Sequence, residues 1–262
     1  MGKIIDRTGE INKNTFGTEM KIIKYINNRD VIVQFQDEYK IIKHVQYDNF
    51  IKGIVSNPYD KTVYGIGYLG EGEYKCGAKN SKIYNVWCNM LTRCYNEKLW
   101  EKGKHTTYKN VFVCDEWHNF QNFAKWWTEQ LNLYKDIKEE EFDLDKDILI
   151  KHNKLYCPQN CIPSPKRINT LFTKSNSRRG KCPIGVTKSK YNTYIARCDV
   201  IPNEKYGKNQ ITIGIFNTPE EAFYAYKQFK ENYIKEVADE YKDIIPQKLY
   251  EAMYRYEVEI TD

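Results

Sequence analysis

The chain has 262 residues, with 41 Lys+Arg, 35 Asp+Glu and 8 Cys, 41% hydrophobic and 15% aromatic residues, and a net charge of +6. That is enough chain for about two ordinary domains with a real core and no disulfide staples. The apolar and aromatic content excludes wholesale disorder, and no run approaches the roughly 20 apolar residues of a membrane span. Residues 1–30 mix charged and apolar side chains without a signal-peptide pattern, so a soluble, intracellular protein with no membrane partner is expected. In that compartment the cysteines are thiols or metal ligands.

Residues 15–58 read as β. Met20–Tyr25 and Val31–Phe35 flank an Asn27-Asn28-Arg29-Asp30 turn, and Asp37-Glu38 turns the chain before Tyr39–Ile42. Short strands with tight turns predict a small SH3-like β-barrel over 1–60, a fold that does not fix function. Trp87, Met90, Leu91 and Cys94 then share one helical face. A second helix is expected after Asp115 as N-cap, burying Trp117, Phe120, Phe123, Trp127 and Leu131. Ile148–Ile150 and Leu155-Tyr156 flank a His152-Asn153-Lys154 turn and predict a short hairpin, and Lys166–Phe172 can start a helix. Strands are expected at 183–187, 194–200 and 210–216. Next comes a helix with three start signals: Thr218 as cap, Pro219 at the first position, and Glu221 closing a capping box. Its buried stripe is Phe223, Tyr226, Tyr233, Val237 and Tyr241. The whole is expected to be α+β in three parts, 1–60, 61–177 and 178–262.

The net charge is unevenly spread. Residues 151–210 hold 13 Lys/Arg against Asp199 and Glu204, a net +11; residues 211–262 sum to −5 and residues 1–150 to zero. A basic block between neutral and acidic ones points to an anionic partner, or simply to a lysine-rich solvated surface.

Asp145, Asn160 and Asn169 stand on strand, loop and helix of an expected ββα unit. A carboxylate and a carboxamide gathered at its mouth are hard oxygen ligands suited to Mg²⁺ or Mn²⁺. Such an ion can stabilise the leaving oxygen of a phosphodiester. The run Leu144-Asp145-Lys146-Asp147, then Tyr156-x-Pro158-x-Asn160-Cys161, then Asn169, resembles the HNH (ββα-metal) core of phage homing-type endonucleases. Upstream, Trp87-x2-Met90-x2-Arg93-Cys94-Tyr95 and Val113-Cys114-x2-Trp117-x2-Phe120-x2-Phe123 also resemble phage HNH proteins. The resemblance implies Asp145 and Asn169 as metal ligands and Asn160 as the orienting residue. It departs from the family at Lys146, which stands where the general-base His belongs. An ordinary lysine is protonated at neutral pH and is a poor base. Lys146 could instead neutralise the phosphate, or His152 in the hairpin turn could stand in as base. Otherwise the core is a degenerate scaffold. Cys157-x3-Cys161 with Cys94 and Cys114 offers thiols for structural Zn²⁺, but there is no CxxC pair, and small buried residues are the simpler reading.

Residues 178–242 resemble the AP2/integrase-type DNA-binding domain through Gly185-Val186, Tyr194-x-Ala196, Ile213-Gly214-x-Phe216, Thr218-x-Glu220-Glu221-Ala222 and Ala225-Tyr226. The resemblance implies a three-stranded sheet in the major groove, backed by the helix. Lys188, Lys190, Tyr194 and Arg197, with Arg178, Arg179 and Lys181 just before, would meet double-stranded DNA. Together the two resemblances imply a phage-type, site-specific DNA endonuclease acting in the cytoplasm of an infected bacterial cell, with no small-molecule substrate. The alternatives are DNA binding without cleavage, or a scaffold whose 22 Tyr help it block a host protein.

Overall fold

A computed structural model describes residues 5–76, 82–138, 141–173, 182–201, 205–207 and 209–262. The protein is mixed α+β and divides into two compact units, Met1–Trp126 and Trp127–Asp262. The sequence boundaries near 60 and 177 fall inside these units. No described helix is long and apolar enough to cross a membrane.

The first unit begins with an antiparallel meander of β1 (Ile11–Lys13), β2 (Glu19–Asn27), β3 (Asp30–Phe35) and β4 (Ile42–Val45), in that spatial order. Alternation sends Met20, Ile22, Val31, Val33 and Phe35 into a core completed by Phe50 of helix α1 (Tyr47–Ile51) and Val55. The sheet is open, with β1 and β4 as its edges, so the expected closed barrel is not formed by the described residues. The last strand also starts later than expected. Asp37 Oδ1 accepts the N–H groups of Tyr39 (3.2 Å) and Lys40 (3.1 Å), and Lys40 takes a left-handed conformation, so the turn extends through residue 40.

One buried polar knot ties this sheet to the chain after α1. Asn14 Oδ1 accepts from the N–H groups of Phe16 and Thr18, and its Nδ2 donates to Asp60 (2.6 Å). Thr18 Oγ1 donates to the other Asp60 oxygen at 2.5 Å. Both Asn14 and Asp60 are buried, and the knot satisfies them.

Helix α2 (Lys82–Tyr95) buries the expected face, Trp87, Met90, Leu91 and Cys94, and α3 (Glu97–Glu101) follows. After strand β5 (Phe112–Val113), Asp115–His118 is a 3₁₀ turn, and α4 begins only at Phe120 and runs to Leu131. Its cap is therefore Asn119, whose Oδ1 accepts from the Gln121 N–H at 2.9 Å, and not Asp115. Trp117, Phe120, Phe123 and Trp127 are buried as expected.

The second unit contains β6 (Phe142–Asp145), β7 (Leu155–Tyr156), β8 (Ile162–Pro165) and α5 (Lys166–Leu171). The hairpin partners differ from those expected: Phe142–Asp145 pairs antiparallel with Ile162–Pro165, and residues 148–150 are bends. Then come β9 (Val186–Lys188), β10 (Tyr194–Asp199) and β11 (Gln210–Phe216), an antiparallel sheet with β10 in the centre. Helix α6 (Pro219–Glu240) packs across it, and α7 (Gln247–Tyr254) packs on α6. The capping box forms as read: Glu221 N–H donates to Thr218 Oγ1, and Thr218 N–H donates to Glu221 Oε2, both at 3.2 Å. Gly185 is at φ +75°, and a Cβ there would stand 2.1 Å from the Tyr226 ring, so only glycine lets sheet and helix meet at this point.

Candidate functional site

Asp145 ends β6, and its Oδ1 accepts the N–H groups of Asp147 and Ile148, both at 2.7 Å. This carboxylate-closed turn ends the strand at Asp145, ahead of Ile148–Ile150, where the sequence predicted the first hairpin arm. Burial pushes the Asp145 carboxyl up to about 6, against the two N–H donors that favour its charged form.

Lys146 is buried. Its Nζ donates to both oxygens of Asp147 (2.8 and 2.7 Å) and to the Asn153 carbonyl (2.8 Å). With its donors on a carboxylate and a carbonyl, this ammonium is engaged in holding its own loop. The general-base role considered for Lys146 therefore has no support in this geometry. Asn160 does not reach Lys146 directly. Its Nδ2 donates to Asn153 Oδ1 at 3.2 Å. Asn153 in turn closes its own turn on Leu155, accepting from its N–H (3.0 Å) and donating to its carbonyl (2.7 Å). The result is a chain, Asn160 to Asn153 to Lys146 to Asp147, that clamps the 146–153 loop.

His152 faces elsewhere. It is exposed, in a left-handed conformation, with Nε2 3.7 Å from Glu259 Oε2. His152, Glu259 and Asp262 bring one ligand atom each within 4.8 Å of one another, a group able to hold a metal ion. The space is contested by Lys151, whose Nζ lies 3.0 Å from Glu259 and 3.1 Å from Asp262 and also donates to the Glu257 carbonyl. This ammonium already supplies the positive charge and lowers the Glu259 carboxyl below its usual range. No other group of three His, Cys, Asp or Glu meets this condition among the described residues. The four cysteines considered for zinc do not form such a group. Asn169 lies on α5, half-buried, and its carboxamide makes no hydrogen bond to another described residue.

The basic residues separate by strand alternation. Arg197 is exposed on the face of β10 away from α6, with Thr187, Thr212 and Ile215 on the neighbouring strands. Tyr194 and its cross-strand partner Lys188 belong to the opposite row, with Lys188 Nζ 5.9 Å from the Tyr194 ring centre. Lys190 is at the hairpin tip, over the exposed Tyr191 ring. The tip is fastened by Ser189 Oγ, 2.7 Å from Thr193 Oγ1. Arg178, Arg179 and Lys181 lie outside the described residues.

A cleft of about 530 Å³ opens in the second unit. Thr173, Gly185, Arg197, Asp199, Gln210 and Lys230 are among its walls. Lys230 was missed in the sequence, although a signal exists. It stands four residues after Tyr226 and three before Tyr233, on the stripe that packs against the sheet. The first unit has an apolar cleft of about 660 Å³ beside Phe16, Ile54 and Phe120, where the buried polar groups Asn57 and Asp60 are both hydrogen-bonded. No family model, curated protein or solved structure matches the chain.

Proposed function

We propose that this protein binds double-stranded DNA through the three-stranded sheet of its second unit, as an AP2-like reader, with the HNH-like ββα element as scaffold. The observation that carries the reading is the sheet itself. One face is backed by α6, while the other is open and presents Arg197, whose guanidinium makes no side-chain bond to a described residue. This sheet belongs to the +11 stretch of the sequence. Three strands at about 4.8 Å spacing suit a major groove about 12 Å wide. Arg197 would meet base edges, and Lys190 at the hairpin tip would meet phosphates. The scaffold reading follows from Lys146, which is engaged in holding its own loop. The open meander of the first unit takes the place of the SH3-like module and is given no DNA contact.

A second reading, metal-dependent cleavage, is favoured by one observation. Asp145 Oδ2 and the Asn169 carboxamide make no hydrogen bond to a described residue, which leaves oxygens for Mg²⁺ or Mn²⁺. One experiment separates the two. Duplex DNA is titrated by gel shift, and supercoiled plasmid is incubated with Mg²⁺ or Mn²⁺ against EDTA. Salt-sensitive binding, weakened about 10-fold or more by Arg197→Ala, with intact plasmid, supports the reader. Nicking that Asp145→Asn abolishes would replace the scaffold reading with the nuclease, and no binding at all would defeat both.

A further inference from the structure

Lys230 is 8% exposed, yet its ammonium forms no hydrogen bond and no ion pair with any described residue. A lysine so buried normally has a carboxylate or carbonyl partner. The acidic residue in the same cleft wall, Asp199, accepts instead from Gln210 Nε2 at 2.7 Å. Lys230 is also one wall of the 530 Å³ cleft, and so is Arg197, the second cation without a described partner. Lys230, whose Nζ lies 5.9 Å from the Tyr233 ring centre, and Arg197, set against one engaged carboxylate, leave the cleft with an excess of positive charge. Thr173, Thr187 and Gln210 add polar groups to the same wall. The volume is that of a small-ligand site.

We infer that this cleft is an anion site that takes a phosphate group against the Lys230 ammonium, with Arg197, on the outer row of β10, at its mouth. A charge-assisted pair of this kind is stronger than neutral hydrogen bonding, and the guanidinium fork fits phosphate oxygens. Burial holds the Lys230 ammonium below the ordinary lysine range, with Cys198 and Asp199 pulling it back only in part. A bound phosphate would supply the missing counter-charge. The phosphate can come from a free nucleotide or from a nucleic-acid backbone. The site does not depend on the sheet reading DNA.

The test uses the full chain at constant ionic strength, with chloride replaced by inorganic phosphate, by a nucleoside monophosphate, or by a short duplex. Thermal midpoints are compared for wild type, Lys230→Met and Lys230→Arg. Ligand that binds only the folded state raises the midpoint. Phosphate or the monophosphate should raise it in wild type and in Lys230→Arg, and not in Lys230→Met. In parallel, acylation of Lys230 in the wild-type protein is followed by mass spectrometry, which needs no variant to fold. Protection by phosphate or the monophosphate alone assigns the source to a free phosphate compound, and protection by the duplex assigns it to a backbone. If no probe slows acylation, or if phosphate raises the midpoint of Lys230→Met as much as that of wild type, the site is refuted. A duplex that binds without protecting Lys230, when the small phosphates also fail to protect it, refutes the cleft and leaves the sheet reading intact.

Discussion

Lys146 and Lys230 are buried to the same degree, each 8% exposed, but their surroundings are opposite. Lys146 reaches Asp147 and the Asn153 carbonyl within 2.8 Å and is drawn into a loop that Asp145, Asn153 and Asn160 close from both ends. Lys230, on α6, has no carboxylate or carbonyl partner among the described residues, only the Tyr233 ring 5.9 Å away, and lines a cleft. Burial by itself therefore does not tell a structural lysine from one kept for a ligand; the state of its donors does. A satisfied ammonium contributes to the fold, and taking away its neighbours costs stability. An unsatisfied one is a desolvation cost that an incoming anion can offset.

The largest effect is expected from removing the groups that close the 146–153 loop. Asp145→Ala leaves two N–H groups without their acceptor and should lower unfolding free energy by about 3 kcal/mol. Asp145→Asn keeps an Oδ1 acceptor and should cost less than half of that. Chemical denaturation of both variants checks the difference. The same carboxyl sets a pH signature. Its folded value of about 6 lies above the ordinary 3.8, so between them the folded protein keeps a proton that the unfolded chain has released. Stability contributed by this group is present in full below about pH 4, falls as pH rises through 6 and is flat above. Denaturation midpoints at pH 4, 5, 6 and 7 should show that component in wild type and lose it in Asp145→Asn.

Next come the two lysines themselves. Lys146→Met should destabilise by about 2 kcal/mol, because the Asn153 carbonyl loses its donor. The Asp147 side of the pair is half-exposed and adds little after screening. Lys230→Met, an apolar chain of similar length in the same burial, should stabilise by about 1 kcal/mol in phosphate-free buffer. Opposite signs are expected for the same substitution; equal losses would show that both ammonium groups serve the fold alone. The smallest effect is expected at the start of α6. Thr218→Ala removes the acceptor of the capping box and should cost about 1 kcal/mol. Because α6 carries Lys230, the same variant should leave the phosphate-dependent rise in thermal midpoint unchanged if the cap acts only on the helix end.

Local signals carried much of the fold. The periodicity of Trp87, Met90, Leu91 and Cys94 and the Thr218-Pro219-Glu221 start were legible because helix faces and caps are set within one or two turns of chain. So were β2, β3 and the last two strands, where alternation and turn residues agree, whereas Val186–Lys188 begins three residues later than expected. The places where reading and structure part are those governed by side-chain-to-backbone bonds. Asp37 lengthens one turn, Asn119 caps α4 in place of Asp115, and Asp145 ends β6. Each choice lies among several Asp and Asn residues that look alike in sequence.

By itself, the sequence determined an α+β chain with amphipathic helices, an uneven charge and one basic block. These follow from composition and from contacts a few residues apart. Tertiary structure alone decided that Lys146 is spent on Asp147 and Asn153, that His152 turns to Glu259 and Asp262, and that Lys230 meets the Tyr233 ring but no described carboxylate or carbonyl, in the wall of a cleft that Arg197 also lines. Whether a buried charge is neutralised depends on which donors and acceptors arrive from distant parts of the chain. No local pattern encodes that meeting.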